Sequence, residues 1–275
     1  MNILFIGDIF GKSGREVARR AIPALVATRS VDLVIANVEN TAAGFGVTGD
    51  IAETILGYGV DVMTSGNHVW DKKEILDYIP TQPRLLRPAN FPAGVPGRGS
   101  YLARTRTGEP VGVLNLMGRV FMTPLDDPFA IALREADALR AKARVIFLDF
   151  HAEATSEKMA MGWHLDGRVT AVVGTHTHVQ TADERILPKG TAYLTDAGMT
   201  GPHDSIIGVT VDAALGRFVT SMPAKFEAAG GPARLNAVLI AADQATGRAT
   251  AIERINLSAA EVEALAGSVV ETART

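Results

Sequence analysis

The sequence predicts an α/β fold whose sheet has two parts, on three observations. Over the first 65 residues, continuous apolar runs alternate with segments of helical spacing, which is the pattern of strand–helix–strand units. A stretch rich in Pro and Gly, Arg84–Gly99, then interrupts this pattern. Beyond it, short strand-like segments lead into a second series of helices and strands, so we expect a second part of the sheet there.

The N-terminal part begins with Asn2–Ile6, an apolar run that stops at Gly7-Asp8 as a buried parallel strand does. Strands and helices then alternate, which predicts parallel pairing through right-handed crossovers. The predicted elements are the strands Asn2–Ile6, Asp32–Val38 and Val60–Ser65 and the helices Gly14–Thr28 and Asp50–Gly57.

The second part follows the same logic, with short strands first and alternation afterwards. The predicted strands are Tyr101–Arg104, Val111–Leu116, Val145–Phe150, Val169–Val173, Ala192–Thr195, Leu235–Ala241 and Thr250–Ile255, and the predicted helices are Phe129–Ala143, Ser156–Trp163 and Ala259–Ala266. The chain contains no repeat and no linker long enough to separate domains, so we expect one domain over residues 1–275.

Composition excludes several classes of protein. The 275 residues include no cysteine, which rules out disulfides, thiolate zinc sites, iron–sulfur clusters and a cysteine nucleophile. With 27 basic and 30 acidic residues, the net charge of −3 argues against a general binder of nucleic acids or membrane surfaces. The N-terminal apolar run is short, and no segment offers 18 uncharged apolar residues. We therefore expect a cytoplasmic protein with no stable nucleic-acid complex.

Side chains that can bind metals follow the predicted strands at the points where they end. They are Asp8, Glu39, Asn67, His151, His176 and His178. In open α/β sheets, ligands bind beyond the carboxyl ends of the strands, so these side chains are expected to meet at one edge. A single residue of this kind is commonly a turn or capping residue, but recurrence at five strand ends favours a shared site.

Two carboxylates, one amide oxygen and three imidazoles are too many ligands for one tetrahedral zinc with an open position. The set suits two metal ions about 3.5–4 Å apart that share a bridging carboxylate and generate a hydroxide nucleophile for a phosphoryl group. Nitrogen and oxygen ligands without sulfur fit Fe, Mn, Zn or Co.

His68 directly follows Asn67 and is left over from the ligand set. A histidine beside such a centre is well placed to protonate a leaving alkoxide, although a spare ligand or an orienting group would occupy the same position. The nearby segment Gly7–Ser13 resembles a phosphate-binding loop, but only three residues separate its glycines where that motif needs four. That interpretation is rejected.

These residues resemble the motifs of the calcineurin-like metallophosphoesterases, which run D-x-H, GD-x-x-D, GN-H-[DE], a lone His and G-H-x-H. The matching segments are GDIF at Asp8, NVEN at Glu39-Asn40, GNHVWD at Asn67-His68, DFHAEATSEK at His151 and GTHTHVQ at His176 and His178. The resemblance spans Asn2 to about Gln180, and TDAGMTG at Thr195–Gly201 also fits. Phe10 stands in place of the first-motif histidine, and Glu39 in place of the bridging aspartate. These departures are similar to the YmdB-like branch, whose members hydrolyse 2′,3′-cyclic nucleotides.

The resemblance implies a four-layer α/β/β/α sandwich and assigns the ligands. Asp8 and His178 would hold one metal ion with Asn40 as an additional ligand, while Asn67, His151 and His176 would hold the other. Glu39 would bridge the two ions and His68 would act as the general acid. We expect two metal ions per chain, with iron as the first candidate and manganese or zinc as the alternatives.

The resulting hypothesis is a dimetal phosphodiesterase that opens a cyclic nucleotide by a metal-bridging hydroxide, with His68 protonating the departing ribose oxygen. A phosphomonoesterase or nuclease with the same site, and a metal-binding regulatory protein with weak turnover, are the alternatives. The partner would be a small phosphodiester, and a homo-oligomer is left open. We expect Arg84–Gly118 and the His203-Asp204 stretch to shape the substrate pocket, although for His203 itself a surface loop residue is the preferred interpretation.

Overall fold

Two β-sheets lie face to face, with helices on their outer sides. The structure is a computed structural model and describes the backbone of residues 1–272 and the side chains of residues 1–269. The strands are β1 Asn2–Ile6, β2 Asp8–Ile9, β3 Leu33–Asn37, β4 Val62–Thr64, β5 Ser100–Arg104, β6 Pro110–Met117, β7 Val145–His151, β8 Ala171–Thr175, β9 Arg185–Ile186, β10 Ala192–Leu194, β11 Met199–Pro202, β12 Ala233–Ala242 and β13 Ala249–Ser258. The helices are α1 Gly11–Thr28, α2 Gly49–Leu56, α3 Ile75–Tyr78, α4 Pro128–Arg140, α5 Thr155–His164, α6 Val211–Thr220 and α7 Ala259–Thr272.

The first sheet runs β2-β11-β12-β1-β3-β4, with β13 also paired to β12, and the second runs β5-β6-β7-β8-β10-β9. In the first sheet, β1, β3 and β4 are parallel. In the second, β6, β7, β8 and β10 are parallel. The carboxyl ends of these parallel strands carry the candidate site residues, as the sequence predicts.

Alternation along the strands builds three apolar layers, because successive side chains point to opposite faces. On β1, Leu4 and Ile6 pack with residues of α1, α2 and α7. Ile3 and Phe5 point the other way and pack against the second sheet, where the rings of Phe5 and Phe147 lie 4.9 Å apart. The outer face of the second sheet is covered by α4 and α5. The expected α/β/β/α sandwich is confirmed.

Most predicted elements are present, with ends shifted by a few residues; α1, for example, begins at Gly11 rather than Gly14. Among the described elements, five were not predicted: β2, α3, β9, β11 and α6. Four of these have only two to four residues, too few for a periodic pattern. Helix α6 is longer, and its apolar residues have the spacing of a helix, so the sequence does carry a signal for it: Val211, Ala214, Leu215, Phe218 and Val219.

None of the helices in the described part of the chain is long and apolar enough to cross a membrane. The single domain over residues 1–275 stays a prediction, and residues 273–275 of that range lie outside the described residues.

Candidate metal centre

The candidate ligands lie in or directly after strands of both sheets, at the edge where the carboxyl ends of the parallel strands meet. On the first sheet, Asp8 is in β2, Glu39 and Asn40 follow β3, and Asn67 follows β4. On the second sheet, His151 is the last residue of β7, and His176 and His178 follow β8. Asp8, Glu39, Asn40 and His151 are almost completely buried.

His151 is at the centre of a compact group of ligand atoms. Its Nε2 lies 3.1 Å from Glu39 Oε1, 2.9 Å from Asn67 Oδ1 and 3.0 Å from His176 Nδ1. The ligand atoms of Glu39, His151 and His176 all lie within 4.8 Å of one another, so these three residues could hold a metal ion. Gly66 makes this approach possible, because a Cβ there would overlap the His151 ring.

A second group of candidate ligands also contacts Glu39. The amide Nδ2 of Asn40 is 3.1 Å from His178 Nε2 and 3.3 Å from Glu39 Oε1. Asp8 Oδ2 accepts a hydrogen bond from the backbone N–H of His176 at 3.2 Å, while Asp8 Oδ1 is buried and has no hydrogen-bond partner among the described residues. A buried carboxylate oxygen without a donor is a position suited to a cation.

Burial and neighbouring charges shift the pKa values of the residues in this site. Burial alone would raise the pKa of Glu39, but the facing His151 lowers it to about 2. Burial opposes the charged form of His151, yet the carboxylate of Glu39 raises the pKa of His151 to about 9. Burial and the charge of His151 lower the pKa of His176 to about 3, so this imidazole is neutral and has a free lone pair.

Hydrogen bonds behind His151 determine which of its nitrogens is free to bind a metal. Thr175 Oγ1 donates its only proton to Asp149 Oδ1 at 2.7 Å, so it must accept from His151 Nδ1, which lies 2.9 Å away. Nδ1 therefore carries a proton, and Nε2 faces the other ligand atoms, where a bound metal ion would take the place of the second proton. Asp149 is itself held by Thr64 Oγ1 at 2.5 Å and Asn37 Nδ2 at 3.0 Å.

The turn that carries His176 and His178 has a strained backbone, and hydrogen bonds to Asp196 stabilise it. Both histidines have positive φ, 99° and 66°, a backbone conformation that costs free energy for residues other than glycine. Between them, Thr177 donates from its N–H and its Oγ1 to Asp196 Oδ2, at 3.1 and 2.7 Å. The side chain of His178 is fixed further by a 2.7 Å contact of its Nδ1 with the carbonyl of Ile207.

His68 lies beside the ligand groups rather than within them. Its backbone N–H donates to Glu39 Oε2 at 3.1 Å, which ties it to the centre. Its Nδ1 is 2.8 Å from Asp71 Oδ2, and its ring packs edge-on with Phe45, with 5.1 Å between ring centroids. His68 also lines the cleft, so its position agrees with an acid next to the centre.

The centre opens into a cleft of about 260 Å³. It is lined by Phe10, Glu39, Asn40, Gly44, Phe45, His68, Glu153, His176, Thr177, His178, Ile207, Val209 and Phe226. The expectation that Arg84–Gly118 shapes this pocket is wrong, since the wall beyond the ligands comes from the segment before α2 and from those on either side of α6. The His203-Asp204 stretch does not line the cleft either, and His203 is exposed, which agrees with its preferred interpretation as a surface loop residue. Phe10 packs edge-on against His178, with 5.7 Å between ring centroids.

A sequence model of the YmdB-like protein family matches residues 4–255. The chain belongs to this family. Among its relatives is the 2′,3′-cyclic-nucleotide 2′-phosphodiesterase of Bacillus subtilis (strain 168), which is 51% identical over 259 residues, covering 93% of this chain and 96% of the relative.

Solved structures similar to this YmdB-like chain agree with the fold. A hypothetical protein from Thermus thermophilus superposes with a TM-score of 0.86 at 42% identity, covering 94% of this chain and 99% of that chain. A phosphatase from Mycoplasma pneumoniae superposes with a TM-score of 0.88 at 34% identity, covering 94% of this chain and 93% of that chain.

Several residues of this YmdB-like site were not predicted from the sequence. Glu153 lies 3.0 Å from His176 Nε2, and its place two residues after His151 is the signal that could have indicated it. Asp149 also precedes His151 by two, on the same face of β7. Lys158 and Asp196 lie within the matching segments DFHAEATSEK and TDAGMTG, but their ion pair could not be read from the sequence, because the two residues are 38 positions apart.

Proposed function

We propose that the chain is a metal-dependent phosphodiesterase that opens 2′,3′-cyclic nucleotides. The chain is a phosphoric ester hydrolase of the YmdB-like family. The observation that carries the proposal is the convergence of Glu39, His151 and His176 within 4.8 Å, with His68 on the wall of the same cleft. The cyclic nucleotide follows from the activity for which the Bacillus subtilis relative is named.

The residues fit two metal ions. Asp8, Asn40 and His178 would hold one ion, and Asn67, His151 and His176 the other. Glu39 Oε1 lies 3.1 Å from His151 and 3.3 Å from Asn40, one member of each set, which supports it as the bridging ligand. Imidazole, amide and carboxylate ligands fit iron, manganese and zinc alike, and iron is put first because of the family resemblance. When bound, the ions would supply positive charge for the phosphoryl oxygens and a hydroxide nucleophile near neutral pH.

The charge of the cleft supports a requirement for bound cations. A phosphodiester substrate is an anion, and the described residues that line the cleft include Glu39 and Glu153 but no lysine and no arginine. Without a cation, the substrate would meet carboxylates in a partly dry cleft, which is unfavourable. Metal ions bound by the ligand atoms around His151 would therefore supply the compensating positive charge.

His68 would deliver the proton that the leaving ribose oxygen needs. Asp71 Oδ2 accepts from His68 Nδ1, which fixes the ring and directs its Nε2 away from Asp71. The backbone N–H of His68 donates to Glu39, which keeps the ring beside the candidate metal centre, where the phosphodiester would bind. Cleavage of the 2′ P–O bond would then release a nucleoside 3′-phosphate with the proton on the 2′ oxygen.

A phosphomonoesterase is the second candidate, favoured by the description of the Mycoplasma pneumoniae structure as a phosphatase. A nuclease is less well supported, since a cleft of about 260 Å³ without basic lining residues among those described offers little to a long polyanion. A metal-binding regulator is disfavoured by the intact pair of His68 and Asp71.

Metal analysis and a substrate panel test the proposal. The purified protein should contain about two transition-metal ions per chain and hydrolyse 2′,3′-cyclic AMP faster than a phosphomonoester or an oligonucleotide. Chelation should abolish turnover, and added Mn²⁺ or Fe²⁺ should restore it. Metal-free protein with full turnover, or faster hydrolysis of the monoester, would contradict it. A cytoplasmic location, a homo-oligomeric state and the lack of a stable nucleic-acid complex stay predictions.

A further inference from the structure

The cleft has two chemically different walls. The polar wall carries the candidate ligands together with His68 and Glu153. The apolar wall consists of Phe45, Ile207, Val209 and Phe226 above the buried ring of Phe10. Ligation and proton transfer account for the polar wall only, so the apolar wall has no role in the chemistry proposed above.

The two half-buried rings of the apolar wall rest on one support. Phe45 and Phe226 both pack against the cluster of Phe10, Met199, Val209 and Ala214. The guanidinium of Arg217 lies over the Phe226 ring, 5.2 Å from its centroid, and restrains it further. Phe226 is therefore a positioned ring at the cleft rather than a loose surface side chain.

Ile207 connects the apolar wall to the metal centre. Its carbonyl contacts His178 Nδ1 at 2.7 Å, while its side chain lines the cleft and is 52% exposed. Its φ of 48° lies in the left-handed region, which is strongly disfavoured for a β-branched residue. Strain of this kind persists where surrounding structure imposes it and is concentrated at functional sites.

We infer that this apolar wall holds the nucleobase of the substrate by stacking, and that Phe226 is a specificity-determining residue. The inference rests on the proposed function, because it needs a nucleotide whose phosphate lies at the polar wall. Phe45 contacts His68, so the wall begins directly beside the residue that would protonate the ribose oxygen. A base attached to that ribose extends from the acid toward the apolar wall.

The side chains of the apolar wall determine which substrates it can distinguish. Phenyl and alkyl side chains recognise the flat face of a base and not the hydrogen-bonding groups on its edge. The wall therefore favours nucleotides over compounds without a base and discriminates little among the four bases. A cleft of about 260 Å³ is suited to a mononucleotide.

The test compares 2′,3′-cyclic AMP with ribose 2′,3′-cyclic phosphate, which has the same reacting group and no base. Phe226→Ala should lower kcat/KM for the nucleotide about 10-fold, mainly through KM, as expected for one lost base–aromatic contact. Hydrolysis of the compound without a base should be unchanged. Phe226→Tyr should retain the wild-type values. Phe218→Ala, an exposed phenylalanine on α6 outside the cleft, is the matched control.

Calorimetry with adenosine 3′-phosphate and ribose 3-phosphate on the metal-loaded protein separates this inference from the proposed function. The nucleotide should bind more tightly, and Phe226→Ala should remove the difference. If the two monophosphates bind with equal affinity, or if Phe226→Ala loses hydrolysis of both cyclic phosphates equally, the apolar wall does not hold the base by stacking. Preferential nucleotide binding without turnover of either cyclic compound overturns the phosphodiesterase and leaves the base-binding wall in place.

Discussion

Lys158 Nζ lies 2.6 Å from Asp196 Oδ2, in a fully buried ion pair beneath the turn of His176 and His178. The carboxylate of Asp196 also accepts from Thr177 and, at 2.8 Å, from the N–H of Gly198. Both oxygens of this carboxylate therefore have hydrogen-bond donors. The ion pair lies under the part of the chain whose backbone is strained, which indicates that it stabilises the geometry of the two histidines.

Lys158→Met should reduce the free energy of unfolding by about 3 kcal/mol, because it leaves the Asp196 charge buried without its partner. Urea denaturation followed by circular dichroism measures this. Lys225→Met, at a lysine whose side chain is 88% exposed, is the control and should change stability by less than about 0.5 kcal/mol. A loss below about 1 kcal/mol for Lys158→Met would show that water or local rearrangement replaces the pair.

His68→Gln should lower kcat for 2′,3′-cyclic AMP by on the order of 100-fold, since the ribose oxygen then leaves without a positioned acid. Asp71→Asn should lower it less, about 10-fold, because the imidazole is kept but its Nδ1 partner is weakened. With bis(p-nitrophenyl) phosphate, whose leaving group needs no proton, both variants should approach wild-type rates. Steady-state kinetics on the two substrates provide the comparison.

Asp77→Asn, at an exposed aspartate on α3, is the matched control for Asp71→Asn. It should have wild-type kinetics with both substrates. If His68→Gln slows the p-nitrophenyl ester as strongly as the cyclic nucleotide, His68 contributes to binding or ligation and not to protonation of the leaving group.

Thr175→Val should weaken metal binding by about 10- to 100-fold, the usual effect of removing a group that orients a metal-binding histidine. The valine has nearly the same shape but cannot connect His151 to Asp149, so the proton is no longer held on Nδ1. Titration calorimetry with Mn²⁺ measures the affinity. Thr54→Val, at a hydroxyl that bonds its own helix backbone, should bind like wild type. Unchanged affinity in Thr175→Val would mean that packing alone orients the ring.

The central strands could be predicted from the sequence because they are buried on both faces. Strand β7 has seven buried residues and β3 has five, and continuous apolar runs of this length are typical of strands covered on both sides. Helix α6 was missed although Val211, Leu215 and Phe218 have helical spacing; these side chains are exposed, so the apolar spacing of α6 does not mark a contact with the core. The two-residue strand β2 exists only because β11 lies beside it, which no local pattern encodes.

The candidate ligands were predictable for a related reason, namely that parallel strands bring their carboxyl ends together. Their supporting contacts were not. Asp149 stands out as a charged residue in a buried strand, but its partners Thr64 and Thr175 are 85 and 26 residues away in sequence, and no local pattern indicates them. Phe226 lies in a segment without regular structure, and its place at the cleft depends on the path of the chain after α6.

Ile207 and Phe121 offer a paired test of strain at the site and strain elsewhere. Both have positive φ, 48° and 61°, and both side chains are exposed, 52% and 91%. Asparagine tolerates this backbone conformation, so Ile207→Asn and Phe121→Asn should each raise the free energy of unfolding by about 1 kcal/mol. Ile207→Asn keeps the carbonyl that contacts His178, but the Ile207 side chain lines the cleft and that of Phe121 does not, so only the Ile207 variant should lose catalytic efficiency. Urea denaturation and kcat/KM for 2′,3′-cyclic AMP are the two measurements. A gain in stability at Ile207 without loss of activity would mean that its side chain does not contribute to substrate binding.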